Sequence, residues 1–96
     1  MWQTPTASCE ITDPGTGTPV YLDYYVLEQT THLSETMKAL TYGIGLQMRS
    51  GASVECAAAP SLFTNEKESQ AFAKRLADCG VTPTTLMDVV EDALGA

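Results

Sequence analysis

One histidine and three cysteines are the residues best suited to act as a catalytic base or nucleophile. His32 is the only histidine, and it lies in the polar stretch TTHLSET (residues 30–36). A Ser–His or Cys–His pair can assemble across a fold. The sequence, however, contains neither a GxSxG nucleophile elbow nor an active-site cysteine signature. We therefore expect His32 to be a solvated loop residue and expect no catalytic residue and no cofactor, with a small enzyme as the second alternative.

The cysteines could instead bind zinc or form disulfides. Cys9, Cys56 and Cys79 are an odd number and lack CxxC spacing, so both a zinc site and a disulfide framework are poorly supported. Cys56 and Cys79 occur in apolar stretches. We expect these two to be small buried side chains.

Three acidic residues cluster near the C-terminus. Asp88 and Asp92 are spaced i, i+4 and could share a cation with Glu91. Calcium sites, however, need about six to eight oxygen ligands, usually from a DxDxDG loop, which is absent. No base follows Arg75, and acids at a helix C-terminus cost about 0.3–1 kcal/mol each. We predict no metal site, and instead a docking surface for Lys or Arg of a partner protein.

The charge of the whole chain supports that choice of partner. The 96 residues carry a net charge of −7, with five acids and no base in residues 1–37, and three acids and no base in residues 81–96. Direct binding to nucleic acid or to an anionic membrane needs a basic patch and is not expected. Acidity that serves only solubility remains an open alternative.

The first part of the chain, up to about residue 60, has the sequence pattern of strands. Residues 20–29 (VYLDYYVLEQ) and 38–48 (KALTYGIGLQM) alternate in the period of a strand with one buried face. Residues 54–60 (VECAAAP) predict a weaker strand that ends at Pro60, and residues 7–12 (ASCEIT) predict a possible short edge strand. Gly43 and Gly45 share the face opposite the core with Tyr21 and Tyr25. Such a face permits close approach of a backbone or a ring, or contact with another protein.

The period changes to that of helices after residue 63. Asn65 with Glu68 fits a capping box, and Gly80 is placed to end the first helix. Thr82 and Pro83 predict the start of a second helix. The apolar positions expected to face the core are Phe72, Leu76 and Cys79 in the first helix, and Leu86, Val89, Val90, Ala93 and Leu94 in the second.

This order of elements predicts an α+β fold. We expect a single domain over residues 1–96, with a small antiparallel sheet of three, possibly four, strands followed by two C-terminal helices packed on one face. Residues 1–19 form a loop-rich N-terminal segment. The face of Leu40, Tyr42, Ile44, Leu46 and Met48 should meet the last helix. The N-terminus lacks the features of a signal peptide, so we expect a cytoplasmic protein.

Three segments resemble a small, uncharacterised family of bacterial proteins of unknown function. They are YYVLE, YGIGLQM and the block GVTPTTLMDVVEDAL, which matches the family's Tyr-rich strand, YGI strand and C-terminal P..L.DVVED.L pattern. The resemblance covers about residues 24–94 and leaves residues 1–19 outside it. It implies no activity, cofactor or catalytic residue.

We therefore predict a non-catalytic, acidic protein-binding module. Its most specific version is an inhibitor or adaptor of a basic, nucleic-acid-handling protein, comparable to the anti-CRISPR inhibitors of phages. The alternative is a homodimeric regulatory or structural protein that uses the Tyr/Gly face. The residues predicted to contact a partner are Asp88, Glu91 and Asp92 first, then Asp23 and Glu28, with Tyr21 and Tyr25 on the sheet.

Overall fold

An antiparallel sheet with helices on one face forms the protein in the computed structural model, which describes residues 4–95. The strands are neighbours in chain order, and the α+β prediction is confirmed. Residues 1–3 of the predicted loop-rich segment, and Ala96, lie outside the described residues. The elements are β1 (Ala7–Thr12), β2 (Pro19–His32), β3 (Lys38–Ser50), β4 (Ser53–Phe63), α1 (Glu66–Cys79), α2 (Leu86–Val90) and a π-helical turn (Glu91–Gly95).

The core lies where the strand alternation predicts it, but only in the middle of the strands. Leu22, Tyr24, Ile44 and Leu46 are fully buried in one cluster with side chains of both helices. Leu40 belongs to the same alternation yet is 47% exposed, so its predicted place in the core is wrong. It pairs with Thr30 beyond the ends of both outer strands, where no helix covers the sheet.

The outer strand β4 continues past Pro60, which the sequence predicts as its end. The register between β3 and β4 shifts there: Ile44 pairs with Ala59, whereas Tyr42 pairs with Phe63. The extra residues of β4 form an irregularity that includes Ser61, with a positive φ of 57°. Proline lacks the N–H that a central strand needs, but it is tolerated on an edge strand at a bulge.

Helix α1 begins and ends at the predicted capping residues, Asn65 and Gly80. The Asn65 side chain accepts hydrogen bonds from the backbone N–H groups of Lys67 and Glu68, and Gly80 ends the helix in the left-handed conformation with φ 64°. Its buried residues are Ser69, Phe72, Ala73 and Leu76.

The burial predicted for two cysteines is wrong, because both are exposed. The buried stripe of α1 would next reach residue 80, so Cys79 falls beside it. Cys56 pairs with Gln47 on the sheet face that carries no helix. An apolar sequence context does not reveal on which face of an edge strand a residue lies.

The second helix is shorter than predicted. Thr82 does not cap it. Thr82 and Thr85 instead form a turn, in which the N–H of Thr85 donates to the carbonyl of Thr82 at 3.1 Å, and α2 begins at Leu86. Leu86 and Val90 are buried as predicted, but Ala93 and Leu94 are exposed.

Helix α1, and not the last helix, covers the sheet. It contacts all four strands, whereas α2 contacts β4. The prediction that the Leu40–Met48 face meets the last helix is therefore wrong in this respect. α1 has 14 residues, whereas α2 has five before the chain continues as the π-helical turn.

Tyr24 joins the sheet to the loop between the helices. Its hydroxyl donates to the carbonyl oxygen of Val81 at 2.6 Å and lies 3.9 Å from Sγ of Cys9. Burial, followed by the influence of Cys9, raises the pKa of Tyr24 far above its usual value. The hydrogen bond satisfies a buried hydroxyl and fixes the chain direction after α1.

We predict that Tyr24→Phe lowers the unfolding free energy by about 1–2 kcal/mol, because the buried Val81 carbonyl loses this donor. The raised pKa means that the folded protein holds the phenolic proton more tightly than the unfolded chain. The contribution of Tyr24 is therefore fully present below about pH 10 and lost as pH rises above it, at up to about 1.4 kcal/mol per pH unit.

Urea unfolding at several pH values would measure both effects, with Tyr21→Phe as the control, since Tyr21 is 42% exposed on the same strand. Equal stability loss above pH 10 in the parent and in Tyr24→Phe would contradict this prediction.

Candidate functional site

The three acids near the C-terminus lie close together on one stretch of helix. Asp88 is in α2, and Glu91 and Asp92 follow in the π-helical turn, so the three carboxylates fall within about one turn of each other. All three are exposed. Within residues 4–95 the structure shows one ion pair, and it involves none of them. We call Asp88, Glu91 and Asp92 the acidic C-terminal surface.

Apolar side chains accompany these acids. Met87 and Leu94 are both about half exposed. Next to Leu94, a groove of about 340 Å³ opens between α1 and the end of the chain, and its lining includes Phe63, Phe72 and Arg75. Methionine and aromatic residues are enriched at protein interfaces. The groove is large enough for one side chain of a partner.

The outer sheet face is the side of the sheet opposite the helices, and it holds three of the predicted contact residues. Oδ2 of Asp23 forms an ion pair with Nη2 of Arg49 at 3.1 Å, and Oδ1 of Asp23 accepts a hydrogen bond from Ser8 Oγ at 2.8 Å. The Arg49 guanidinium also lies 5.7 Å from the centre of the Tyr21 ring. Asp23 is therefore already neutralised within the sheet.

Tyr25 lies further along the outer sheet face, opposite Gly45 in the register. Tyr25 is only 8% exposed, and its hydroxyl donates to Oε1 of Gln47 at 3.3 Å. Burial, together with the negative charge of Asp23, raises the pKa of Tyr25. A ring that packs beside glycine within the sheet leaves little surface for a partner.

Glu28 is separate from the other predicted residues. It lies on the opposite side of β2 from Asp23, because side chains alternate along a strand. It pairs with Tyr42 near the point where the hairpin of β2 and β3 extends beyond the sheet. The predicted contact residues thus divide into three places: the acidic C-terminal surface, the outer sheet face and the base of this hairpin.

Sequence reasoning missed Arg49 and Ser8. Both contact Asp23 only because three strands align in one register, with Asp23 opposite Ser8 on one side and near Arg49 on the other. The turn between β2 and β3 has no short glycine signature that would fix this register. The sequence offers no signal for the ion pair beyond its opposite charges.

Residues 4–96 match a family described as "Family of unknown function (DUF6514)". The chain belongs to this family. The match includes β1 and the loop after it, so the expectation that residues 1–19 lie outside the family is wrong for residues 4–19. No curated protein and no solved structure matches the chain.

The DUF6514 domain carries its histidine at a strand end. His32 is the last residue of β2, not a loop residue, and is exposed opposite Lys38.

Across the described part of the chain, no three His, Cys, Asp or Glu side chains come together as metal ligands. No helix among residues 4–95 is long and apolar enough to cross a membrane.

Proposed function

We propose that this DUF6514 protein is a non-catalytic module that binds a protein with a basic surface, and that the acidic C-terminal surface makes the contact. The supporting observation is that Asp88, Glu91 and Asp92 are exposed together and form no ion pair within residues 4–95. A location in the cytoplasm stays a prediction from the sequence.

The position of these acids is costly for the isolated protein. Asp88 lies in the first turn of α2, where the helix dipole favours an acid, but it repels Glu91 and Asp92 at i+3 and i+4, and these two acids follow the end of α2. No basic residue lies in the last turn of α2 or of the π-helical turn. Lys or Arg side chains of a partner would offset this repulsion, which favours a binding role over solubility alone.

The groove beside Leu94 refines the chemistry of the partner. Its lining combines the apolar Phe63 and Phe72 with Glu68 and Arg75. A basic segment that also carries one large apolar side chain would place that side chain in the groove and its cations on the acids. Proteins that handle nucleic acid have basic surfaces of this kind, so an inhibitor or adaptor of such a protein is the more specific form of the proposal.

The test first captures a binding protein from cell lysate with the parent protein. It then replaces Glu91 and Asp92 with Lys and measures the association rate with that protein as a function of ionic strength. Opposite charges steer encounter, so we expect an association rate lower by on the order of tenfold at low salt and a flatter salt dependence. The fold should gain slightly, because Lys suits a helix C-terminus.

A matched control separates the position of the charges from their number. Glu10→Lys with Glu55→Lys changes the net charge equally, at exposed sites on β1 and β4. This control should retain most of the parent's association rate. If both double variants have the same rate and the same salt slope, the acids act only through net charge and the proposal fails.

A further inference from the structure

A two-stranded arm, which we define as residues 28–41, extends from the sheet. The pairing of β1 with β2 ends at Tyr24, and the pairing of β4 with β3 ends at Tyr42, but β2 and β3 pair with each other as far as His32 and Lys38. Ser61 touches the base of the arm through Gln29 and Thr41. The molecule is elongated, with extents of 53 Å, 30 Å and 19 Å.

The arm is poorly covered. Its residues are exposed or half-buried, and they include Leu33 at 62% and Met37 at 58% exposure. A hairpin of two strands without a packed face is at best marginally stable in water. Such a structure gains stability when a further strand pairs with its edge.

In the arm, β2 directs some of its backbone N–H and C=O groups toward the side on which it pairs with β1 as far as Tyr24. The carbonyl of Tyr24 accepts a hydrogen bond from the N–H of Thr6 at 2.8 Å, so Tyr24 directs its backbone groups toward β1. Because these directions alternate in an antiparallel strand, Glu28, Thr30 and His32 direct theirs to the same side. In the described part of the chain, no strand pairs with that side beyond Tyr24.

The outer edges of β1 and β4 are protected, and the open edge of β2 is not. β1 has six residues, and β4 carries Pro60 and a register shift, all features that discourage pairing with another chain. The register of β2 with β3 runs without interruption from Tyr21 to His32. Residues 26–32 contain no proline and no lysine.

We propose that a second copy of this chain pairs with the open edge of β2, antiparallel and about a two-fold axis at Thr30. In this register Glu28 of each copy lies opposite His32 of the other, and Leu27 lies opposite Leu33. The outward backbone groups of Glu28, Thr30 and His32 then hydrogen-bond across the interface. Cyclic dimers with one self-complementary surface are the commonest oligomers.

The side chains select this register. Cross-strand neighbours stabilise a sheet when one side chain donates a hydrogen bond to the other, as the imidazole of His32 can to the carboxylate of Glu28, or when both are apolar, and like charges destabilise it. Centring the pair on Glu28 places two acids opposite each other, and centring it on any other residue separates Glu28 from His32. The inference concerns the arm, so it does not depend on the proposed role of the acidic C-terminal surface.

Sedimentation equilibrium of the full chain should give twice the chain mass of 10.3 kDa. Thr30→Pro removes the central outward N–H and should weaken dimerisation at least tenfold, while circular dichroism shows that the sheet remains. A parent protein that is monomeric at about 100 µM overturns the proposal, since a sheet pairing of functional strength has a micromolar or lower Kd.

Charge exchange tests the register even if Thr30→Pro fails to fold. Glu28→Lys removes the carboxylate that accepts from His32, and His32→Glu places an acid opposite Glu28, so each alone should weaken the dimer about threefold to tenfold. The double variant places a base opposite an acid across the axis and should regain the parent's Kd. A Kd that is unchanged in both single variants contradicts this pairing. So does a double variant whose loss of affinity equals the two single losses combined.

Discussion

Replacement of Ile44 by Asp should abolish cooperative unfolding of this protein. Ile44 is fully buried in the centre of β3, between Val26 of β2 and Ala59 of β4. A carboxylate there would lose its hydration without gaining a partner, which costs several kcal/mol. Domains of this size are stable by only about 5–15 kcal/mol, so we expect loss of most or all of the folded population. Urea unfolding followed by circular dichroism measures the effect.

Leu40→Asp is the matched control, because it makes the same chemical change four residues earlier in the same alternation. Leu40 is 47% exposed and lies in the arm. Its replacement should change the unfolding free energy by less than about 1 kcal/mol. Two variants with equal stability would contradict the assignment of the buried face.

The comparison of these two positions shows what the sequence can predict. Alternation identifies the face of a strand, and it correctly places Ile44 and Leu46 in the core. Alternation does not show how far the neighbouring elements extend, and burial depends on them. Leu40 therefore looks identical to Ile44 in the sequence but lies outside the cover of α1.

The helices were predictable where local chemistry determines them. Asn65 and Gly80 form the ends of α1 through backbone hydrogen bonds that depend on neighbouring residues alone. The start of α2 was not predictable in this way, because the hydroxyls of Thr82 and Thr85, 3.2 Å apart, support a turn in place of a cap. A threonine before a proline is compatible both with a helix cap and with such a turn.

The candidate site was predictable only where it depends on residues that are close in sequence. The exposure of Asp88, Glu91 and Asp92 follows from the apolar positions Leu86 and Val90 on the other side of the helix. The neutralisation of Asp23 by Arg49 depends on strand register, and the open edge of the arm depends on where β1 and β4 stop. Both are properties of pairing across the sheet, which single-strand patterns do not contain.

Gly43 is the second position where a small change should have a large effect. The register shift brings the backbone of β4 close to β3, so that a Cβ on Gly43 would lie 2.3 Å from the carbonyl oxygen of Ala59 and 2.6 Å from Cα of Pro60. These are backbone atoms, and no rotamer change can move them away. The carbonyl of Gly43 also accepts a hydrogen bond from the buried hydroxyl of Ser69 in α1, at 3.2 Å. A shift of β3 would therefore disturb the helix as well.

We expect Gly43→Ala to lower the unfolding free energy by about 2–4 kcal/mol, the cost of overpacking against a rigid neighbour. For a domain of this size that corresponds to a fall in Tm of roughly 10–20 °C. Gly15→Ala is the control: its Cβ would lie 3.3 Å from a side-chain oxygen of Asp13, which can rotate away, so we expect a change below about 0.5 kcal/mol. If Gly43→Ala melts within a few degrees of Gly15→Ala, the backbone of β4 does not lie over Gly43. The strand would then end at Pro60, as its sequence alone suggests.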